Sequence, residues 1–299
     1  MSPPPGAVNT VAFLGLGRMG RPMAGRLANA GFAVRAWNRS PRTLDRPTGG
    51  ALDVVATPAE AAAGADVVIT MLPDLAEVEQ VWACPHGLAA GITAGTVLVI
   101  MGTVSPVAVR AWAPVAHAAG VRVVDAPVSG GDVGAIEGTL SIMVGGDDDD
   151  VERVRPVLEP MASRVRHLGP LGAGQLAKAC NQIVVATTLA ALAEAVTLAR
   201  HGGLDVTELL DVLASGLAGS RALEVKRNQL ISGDYRPGGS AAFQHKDLGF
   251  ALEAARQSST ALPVTALVDQ LFGSLRWTGQ GEQDHSAVVR VIEGLSGDR

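Results

Sequence analysis

Residues 171–200, LGAGQLAKACNQIVVATTLAALAEAVTLAR, constrain the architecture more than any other stretch of this chain. They read as one long helix, opened by Gly172 and Gly174, closed by Gly202 and Gly203, and polar only near its start. At ~1.5 Å rise per residue the helix reaches about 45 Å, enough to cross one domain and enter a second. Lys178, Asn181 and Gln182 fall at offsets of three and four, so they share one helical face, which is a candidate active-site wall. Residues 183–199 are also about as long and apolar as a membrane span. Glu194 near their centre would cost roughly 2.5 to 3.5 kcal/mol on insertion scales, and no Lys/Arg asymmetry marks an orientation. A buried interdomain helix is the expectation, with no membrane partner.

Before this helix the pattern is that of a nucleotide-binding sheet. An apolar run at 11–14 leads into Gly15-Leu16-Gly17-Arg18-Met19-Gly20, and a helical pattern follows at 21–30. In this GxGxxG spacing the first glycine allows the tight turn and the second lets backbone amides approach a pyrophosphate. The third allows close helix–sheet packing, and the helix N-terminus adds partial positive charge. A second strand at 33–37 completes the βαβ unit that gives the motif its meaning. That strand ends in Asn38-Arg39-Ser40 with Arg42 beyond, where an acidic residue would hold the ribose hydroxyl of NAD. Arginine donors and a hydroxyl in its place suit the 2′-phosphate of NADP, so NADP is the expected cofactor, with NAD as the second choice.

Strand-like runs at 67–71, 97–100 and 121–125, with a helical pattern at 106–119, continue the alternation and predict a doubly wound sheet. Ligands of such sheets lie beyond the carboxyl ends of the strands. The rim should therefore hold Met71-Leu72-Pro73-Asp74, Gly102-Thr103 and the segment from Asp125 to Ser129-Gly130-Gly131. The acidic run at 147–150 is expected to cap a helix rather than to bind a metal.

With 299 residues, 47% hydrophobic and 18% charged, the chain can bury two cores. A net charge of −5 and a pI near 5.7 offer no basic face for nucleic acid. Cys84 and Cys180 have no ligand-like spacing, and MSPPPGAVNT lacks the features of a signal peptide, so a cytoplasmic enzyme is expected. After 204 come five amphipathic helical patterns, at 205–214, 220–231, 243–257, 263–277 and 284–293, separated by glycine-rich breaks. The fold class expected is an α/β Rossmann-type doubly wound sheet at 1–169, followed by an all-α domain at 170–299 and joined to it by the long helix.

From 11 to 293 the sequence resembles the β-hydroxyacid dehydrogenase family. GLGRMGRPMAGRL resembles its cofactor loop, DAPVSGG with GTLSIMVGG its substrate loop, GAGQLAKACNQ its catalytic helix, and HKDL with DHSA its C-terminal signatures. SGLAGSRALEVK and QHKDLGFALEAA are most similar to the tartronate semialdehyde reductase branch, with 3-hydroxyisobutyrate dehydrogenase as close kin. The resemblance implies hydride transfer between a nicotinamide cofactor and a small hydroxyacid or its semialdehyde, and with no divalent-metal cluster legible in the sequence a metal-free transfer is the simplest expectation. Lys178 would be the acid–base residue: a lysine, ordinarily near pKa ~10.4, is brought toward the operating range by desolvation or a neighbouring positive charge. Ser129, Gly130 and Gly131 would hold the substrate carboxylate, with Thr103, Asn181 and Gln182 on its hydroxyl or carbonyl. Lys246, oriented by Asp247, would close the site and touch the cofactor, which Met71, Leu72 and Pro73 would also line. A homodimer or homotetramer is implied as well.

Departures from the family pattern bear on specificity. Ile100-Met101-Gly102-Thr103 lacks a carboxylate and a hydroxyl, and Pro237-Gly238-Gly239 lacks the usual aromatic. Residues 46–50 shorten the helix expected after the second strand, and Thr43 stands where relatives often carry lysine. A non-catalytic module of this fold and an imine reductase are the alternatives, and the presence of Lys178 argues against both. A 6-phosphogluconate dehydrogenase would ordinarily be much longer.

Overall fold

The computed structural model describes residues 8–40, 52–236 and 238–297. Arg42, Thr43, residues 46–50, Pro237 and the first seven residues lie outside that set. The chain divides into two compact units, Met1–Lys178 and Ala179–Arg299.

In the first unit the elements run β1 (Thr10–Leu14), α1 (Gly20–Asn29), β2 (Ala33–Trp37), β3 (Leu52–Val54), α2 (Pro58–Ala62), β4 (Val67–Thr70), α3 (Leu75–Ala83), α4 (Leu88–Gly91), β5 (Val97–Ile100), α5 (Pro106–Ala118) and β6 (Arg122–Asp125). The six strands form one parallel sheet in the order β3-β2-β1-β4-β5-β6. Central strands of such a sheet are covered on both faces, which is why VVIT in β4 and VLVI in β5 are buried throughout. Alternate residues feed separate cores: Val11, Phe13, Val67, Ile69, Val97 and Val99 pack on one face, and Ala12, Leu14, Val68, Leu98 and Ile100 on the other. This is the doubly wound Rossmann-type architecture that the βα alternation predicts.

The pairing register also fixes the rim. Trp37, Leu14, Thr70, Ile100 and Asp125 stand in one row across the sheet, so the loops that follow them leave from one edge. The strand order reverses between β1 and β4, the switch point at which a dinucleotide crevice opens.

Next come β7 (Val128–Ser129), α6 (Gly131–Glu137), β8 (Leu140–Val144), α7 (Asp148–Leu158) and β9 (Ala162–His167). Here the structure corrects the sequence reading. LSIMV, taken above as part of a substrate loop, is the central strand of a second sheet, β7-β8-β9, and buries Leu140, Ile142 and Val144 at a period of two. Asp125 and Gly145 exchange backbone hydrogen bonds of 2.9 and 2.8 Å that stitch this sheet to the first. The acidic run does begin a helix, α7, but Asp147 makes no side-chain cap. Asp148, Asp149 and Asp150 act instead as first-turn charges, and Asp150 also pairs with Arg122 at 2.6 Å.

Helix α8 is Ala173–His201, as the long apolar stretch predicts. By length and composition it could cross a membrane. Its inward residues Ala186, Leu189, Ala193 and Val196 instead belong to the core of the second unit, and Glu194 is exposed. Around that core stand α9 (Val206–Ser215), α10 (Arg221–Ser232), α11 (Ala241–Gln257), α12 (Pro263–Trp277) and α13 (Val288–Leu295), the last preceded by a 3-10 turn at His285–Ala287. Asp205, Ser220 and Ser240 accept first-turn backbone N–H groups of α9, α10 and α11, each cap contributing about 1 kcal/mol.

Candidate active site

The glycine loop between β1 and α1 is shaped by close approach. Gly15 has φ +100°, and a Cβ there would lie 2.4 Å from the Met71 carbonyl oxygen; at Gly20 it would lie 1.8 Å from the Gly15 oxygen. Nothing lies within 4 Å of the Cβ position of Gly17, so the loop is open where a pyrophosphate must approach. No acidic residue occupies the first turn of α1, which leaves its positive end unopposed. These residues fit a dinucleotide.

Asn38 organises the neighbouring strand end. Its Oδ1 accepts the Leu16 N–H at 2.8 Å, and its Nδ2 donates to the Ser40 carbonyl at 2.8 Å. The carboxamide thereby sets the backbone that presents Arg39 and Ser40, both exposed. Arg18, next in the glycine loop, pairs at 2.5 Å with Asp132 of α6, and Arg26 donates to the Ile136 carbonyl at 3.0 Å. Two arginines of α1 and its loop thus clasp α6, and this places the glycine loop beside the Ser129-Gly130-Gly131 turn. Gly130 and Gly131 have φ of +132° and +64° and are exposed. Successive positive φ values of this kind are open to glycine and strained for other residues.

On the rim, Gly102 has no room for a side chain: a Cβ would stand 1.9 Å from the Leu72 carbonyl oxygen. The β4–α3 loop bearing Met71, Leu72 and Pro73 therefore rests on the Gly102 backbone, which accounts for the missing hydroxyl at this position. Thr103 beside it is half-buried.

Lys178 is 8% exposed, within the first two turns of α8. The start of α8 is tied to the rim by Asp125, which is fully buried and accepts the Gly172 and Gln175 N–H groups, each at 2.6 Å. Gly174 packs there because a Cβ would strike the Met143 carbonyl oxygen at 2.3 Å.

In the second unit, Gln182 Nε2 donates to Asp247 Oδ2 at 2.7 Å, and its Oε1 accepts from Asn181 Nδ2 at 2.9 Å. Lys246 Nζ lies 3.4 Å from Asp247 Oδ1 and over the rings of Phe243 and Phe250, at 5.5 and 5.0 Å. Asn181, Gln182, Asp247 and Lys246 thus form one polar chain between α8 and α11. The His285 ring stands 3.4 to 3.6 Å from the Cβ position of Gly239, against the place where the family aromatic would begin.

A family model described as the NAD binding domain of 6-phosphogluconate dehydrogenase matches residues 10–169, and one described as NAD-binding of NADP-dependent 3-hydroxyisobutyrate dehydrogenase matches residues 172–292. The 2-(hydroxymethyl)glutarate dehydrogenase of Eubacterium barkeri is 38% identical over 96% of both chains. The chain belongs to the β-hydroxyacid dehydrogenase family. The 2-hydroxy-3-oxopropionate reductase of Escherichia coli is 37% identical over 95% of this chain and 97% of its own. Among solved structures, Mycobacterium tuberculosis 3-hydroxyisobutyrate dehydrogenase with L-serine matches with a TM-score of 0.81 and 36% identity, over 95% of this chain and 99% of that one. This β-hydroxyacid dehydrogenase is an oxidoreductase that uses a nicotinamide dinucleotide, NADP or NAD, and acts on the CH–OH group of small carboxylates.

Two residues hold the rim of the dehydrogenase together: Asp125, expected from sequence only to line that rim but fully buried beneath it, and Gln175, to which the sequence reading assigns no role. Burial raises the Asp125 pKa from 3.8 to about 6, against the opposing pull of the Gly172 and Gln175 N–H groups. A raised carboxyl pKa contributes stability that is fully present below the unfolded value and is lost as the pH rises through about 6. Asp125→Asn removes this titration and sets an NH₂ against one of the two N–H donors. Denaturant melts from about pH 4 to about pH 7 should show the wild type losing stability relative to Asp125→Asn as the pH rises. A constant difference would contradict the titration.

Proposed function

We propose that this enzyme interconverts a small β-hydroxyacid and its semialdehyde in the manner of a tartronate semialdehyde reductase, with NADP preferred and Lys178 as the acid–base residue. The observation that carries the reading is the placement of Lys178: a nearly buried lysine on the helix that Asp125 pins to the cofactor-binding rim. A bound nicotinamide supplies the hydride. As the carbonyl carbon accepts it, the Lys178 ammonium gives a proton to the developing alkoxide, and in oxidation the neutral amine takes that proton back. Ser129, Gly130 and Gly131 hold the carboxylate with a hydroxyl and backbone amides, and Thr103 and Asn181 bind the reacting oxygen. Gln182 serves by keeping Asn181 and Asp247 in place, and Lys246 is held for binding by Asp247. The enzyme acts in the cytoplasm as a homodimer or homotetramer, a reading supported by family membership and by the exposed apolar residues Val184 and Leu198 on α8.

Tartronate semialdehyde, 3-hydroxyisobutyrate and a cyclic imine, each assayed with NADP and NAD in the matching redox state, test the assignment. Turnover of the two acids with little on the imine is expected. Preferential imine reduction would overturn the reading.

Gly239 is proposed to widen the substrate range, and the 38% identical relative is named for a diacid with a longer side chain than hydroxymethyl. A Cβ at 239 meets the His285 ring at ordinary contact, so Gly239→Phe can be built without backbone strain. The variant is expected to lower kcat/KM for acids with long side chains relative to short ones by on the order of 10-fold, the scale of a methylene or two in a pocket. An unchanged ratio would remove Gly239 from the specificity account.

A further inference from the structure

The side chain of Gln175 is 1% exposed and makes two hydrogen bonds on either side of Thr103. Nε2 donates to the Gly102 carbonyl at 2.9 Å, and Oε1 accepts the Val104 N–H at 3.0 Å. One carboxamide thus grips the backbone immediately before and after Thr103, as a neighbouring strand would. The same residue's backbone N–H donates to Asp125 Oδ2 at 2.6 Å, so its own position is fixed from the sheet side. The gripped segment is also packed against the β4–α3 loop, because a Cβ at Gly102 would stand 1.9 Å from the Leu72 carbonyl oxygen. Lys178 follows Gln175 by three residues, which puts both on one face of α8.

We infer that Gln175 is a positioning residue that sets the spacing between Thr103 and Lys178. It touches neither substrate nor cofactor. Its two ends fix the tripeptide carrying the hydroxyl that meets the reacting oxygen, and its backbone belongs to the helical turn that carries the proton donor. Without the grip, Thr103 and the Lys178 ammonium no longer converge on one oxygen, and the loss falls on the chemical step rather than on cofactor binding. The inference rests on the roles proposed above for Lys178 and Thr103.

Two variants test it. Gln175→Met keeps the volume and removes both bonds. It is expected to lower kcat about 10- to 100-fold, the scale attached to small misplacements at a reacting centre, with the NADPH Kd within about threefold of wild type. Hydrogen exchange at the Val104 amide should accelerate in the same variant. Gln175→Glu keeps the acceptor for Val104, but when ionised it sets a carboxylate oxygen against the Gly102 carbonyl. When protonated it donates there and restores the pair. A carboxyl buried at this point titrates above its ordinary range. The ratio of variant to wild-type kcat should therefore rise as the pH falls, and Val104 protection should return with it. Should Gln175→Met fail to fold, this pH dependence carries the test. Unchanged Val104 exchange in Gln175→Met would overturn the bracing, and faster exchange with kcat within twofold of wild type would overturn its link to catalysis. Near-wild-type turnover of Lys178→Ala would instead overturn the reading on which the inference rests, leaving the exchange result standing.

Discussion

Lys178→Ala is expected to lower turnover about 10²- to 10⁴-fold while the protein stays folded and binds NADPH, because general acid–base catalysis contributes that much to transfers of this kind. The fold should survive because α8 is anchored by Asp125 and Gln175 upstream and by the core residues from Ala186 onward, none of which depends on the ammonium. Truncation of a nearly buried stem does remove packing, so Lys178→Met is the companion variant: it retains the stem and deletes only the charge. Both should lose turnover alike. Methylammonium added to the medium should restore part of the alanine variant's rate, where space for it exists, and none of the methionine variant's. Substrate KM should move less than kcat, since the proton is needed chiefly in the transition state. Turnover within threefold of wild type in either variant would remove Lys178 from the chemistry.

Arg39→Asp is expected to reverse the cofactor preference from NADPH to NADH. A guanidinium–phosphate contact is charge-assisted and often bidentate, worth on the order of 1.5 to 3 kcal/mol, or roughly one to two orders of magnitude in the affinity ratio. Asn38 cannot take over that role, because its carboxamide is occupied by Leu16 and Ser40. An aspartate in place of Arg39 repels the 2′-phosphate and accepts a bond from a free 2′-hydroxyl. Because Arg39 is exposed, the wild-type preference should weaken as salt rises and the Debye length falls below about 10 Å. Arg42, outside the described residues, is expected to add less. Calorimetric titration of both cofactors into wild type and variant is the measurement; equal affinities in the wild type, or no change on substitution, would contradict the assignment.

The parts of this enzyme legible in its sequence are those in which a local pattern has a local cause. GxGxxG between an apolar run and a helical pattern specifies a loop whose first and third glycines the structure places against Met71 and Gly15 backbone, leaving the second open. The rim followed from strand ends, since a parallel sheet in register brings them to one edge. What stayed hidden depends on distant partners. Asp125 and Gln175 hold backbone groups 47 and 73 residues away, and an aspartate at a strand end or a glutamine in a helix gives no local sign of that. LSIMV was misread because it is short, flanked by glycines and followed by an acidic run, although its alternation of buried and half-buried residues is a strand's. Gly102 read from the family pattern only as a missing hydroxyl; the Leu72 carbonyl 1.9 Å from its Cβ position gives a steric reason for it. A helical pattern could likewise place Gln182 beside Lys178 but could not show that its carboxamide pairs with Asp247.

The proposed function turns on a carboxylate one carbon removed from the reacting carbon, held at Ser129, Gly130 and Gly131, as the feature that defines the substrate. Comparing kcat/KM for tartronate semialdehyde with that for glycolaldehyde, its decarboxylated counterpart, under saturating NADPH tests it most directly. A preference for the acid of at least about 100-fold is expected, the scale of a charge-assisted anchor used in the transition state. Equal efficiencies for the two aldehydes would contradict the account.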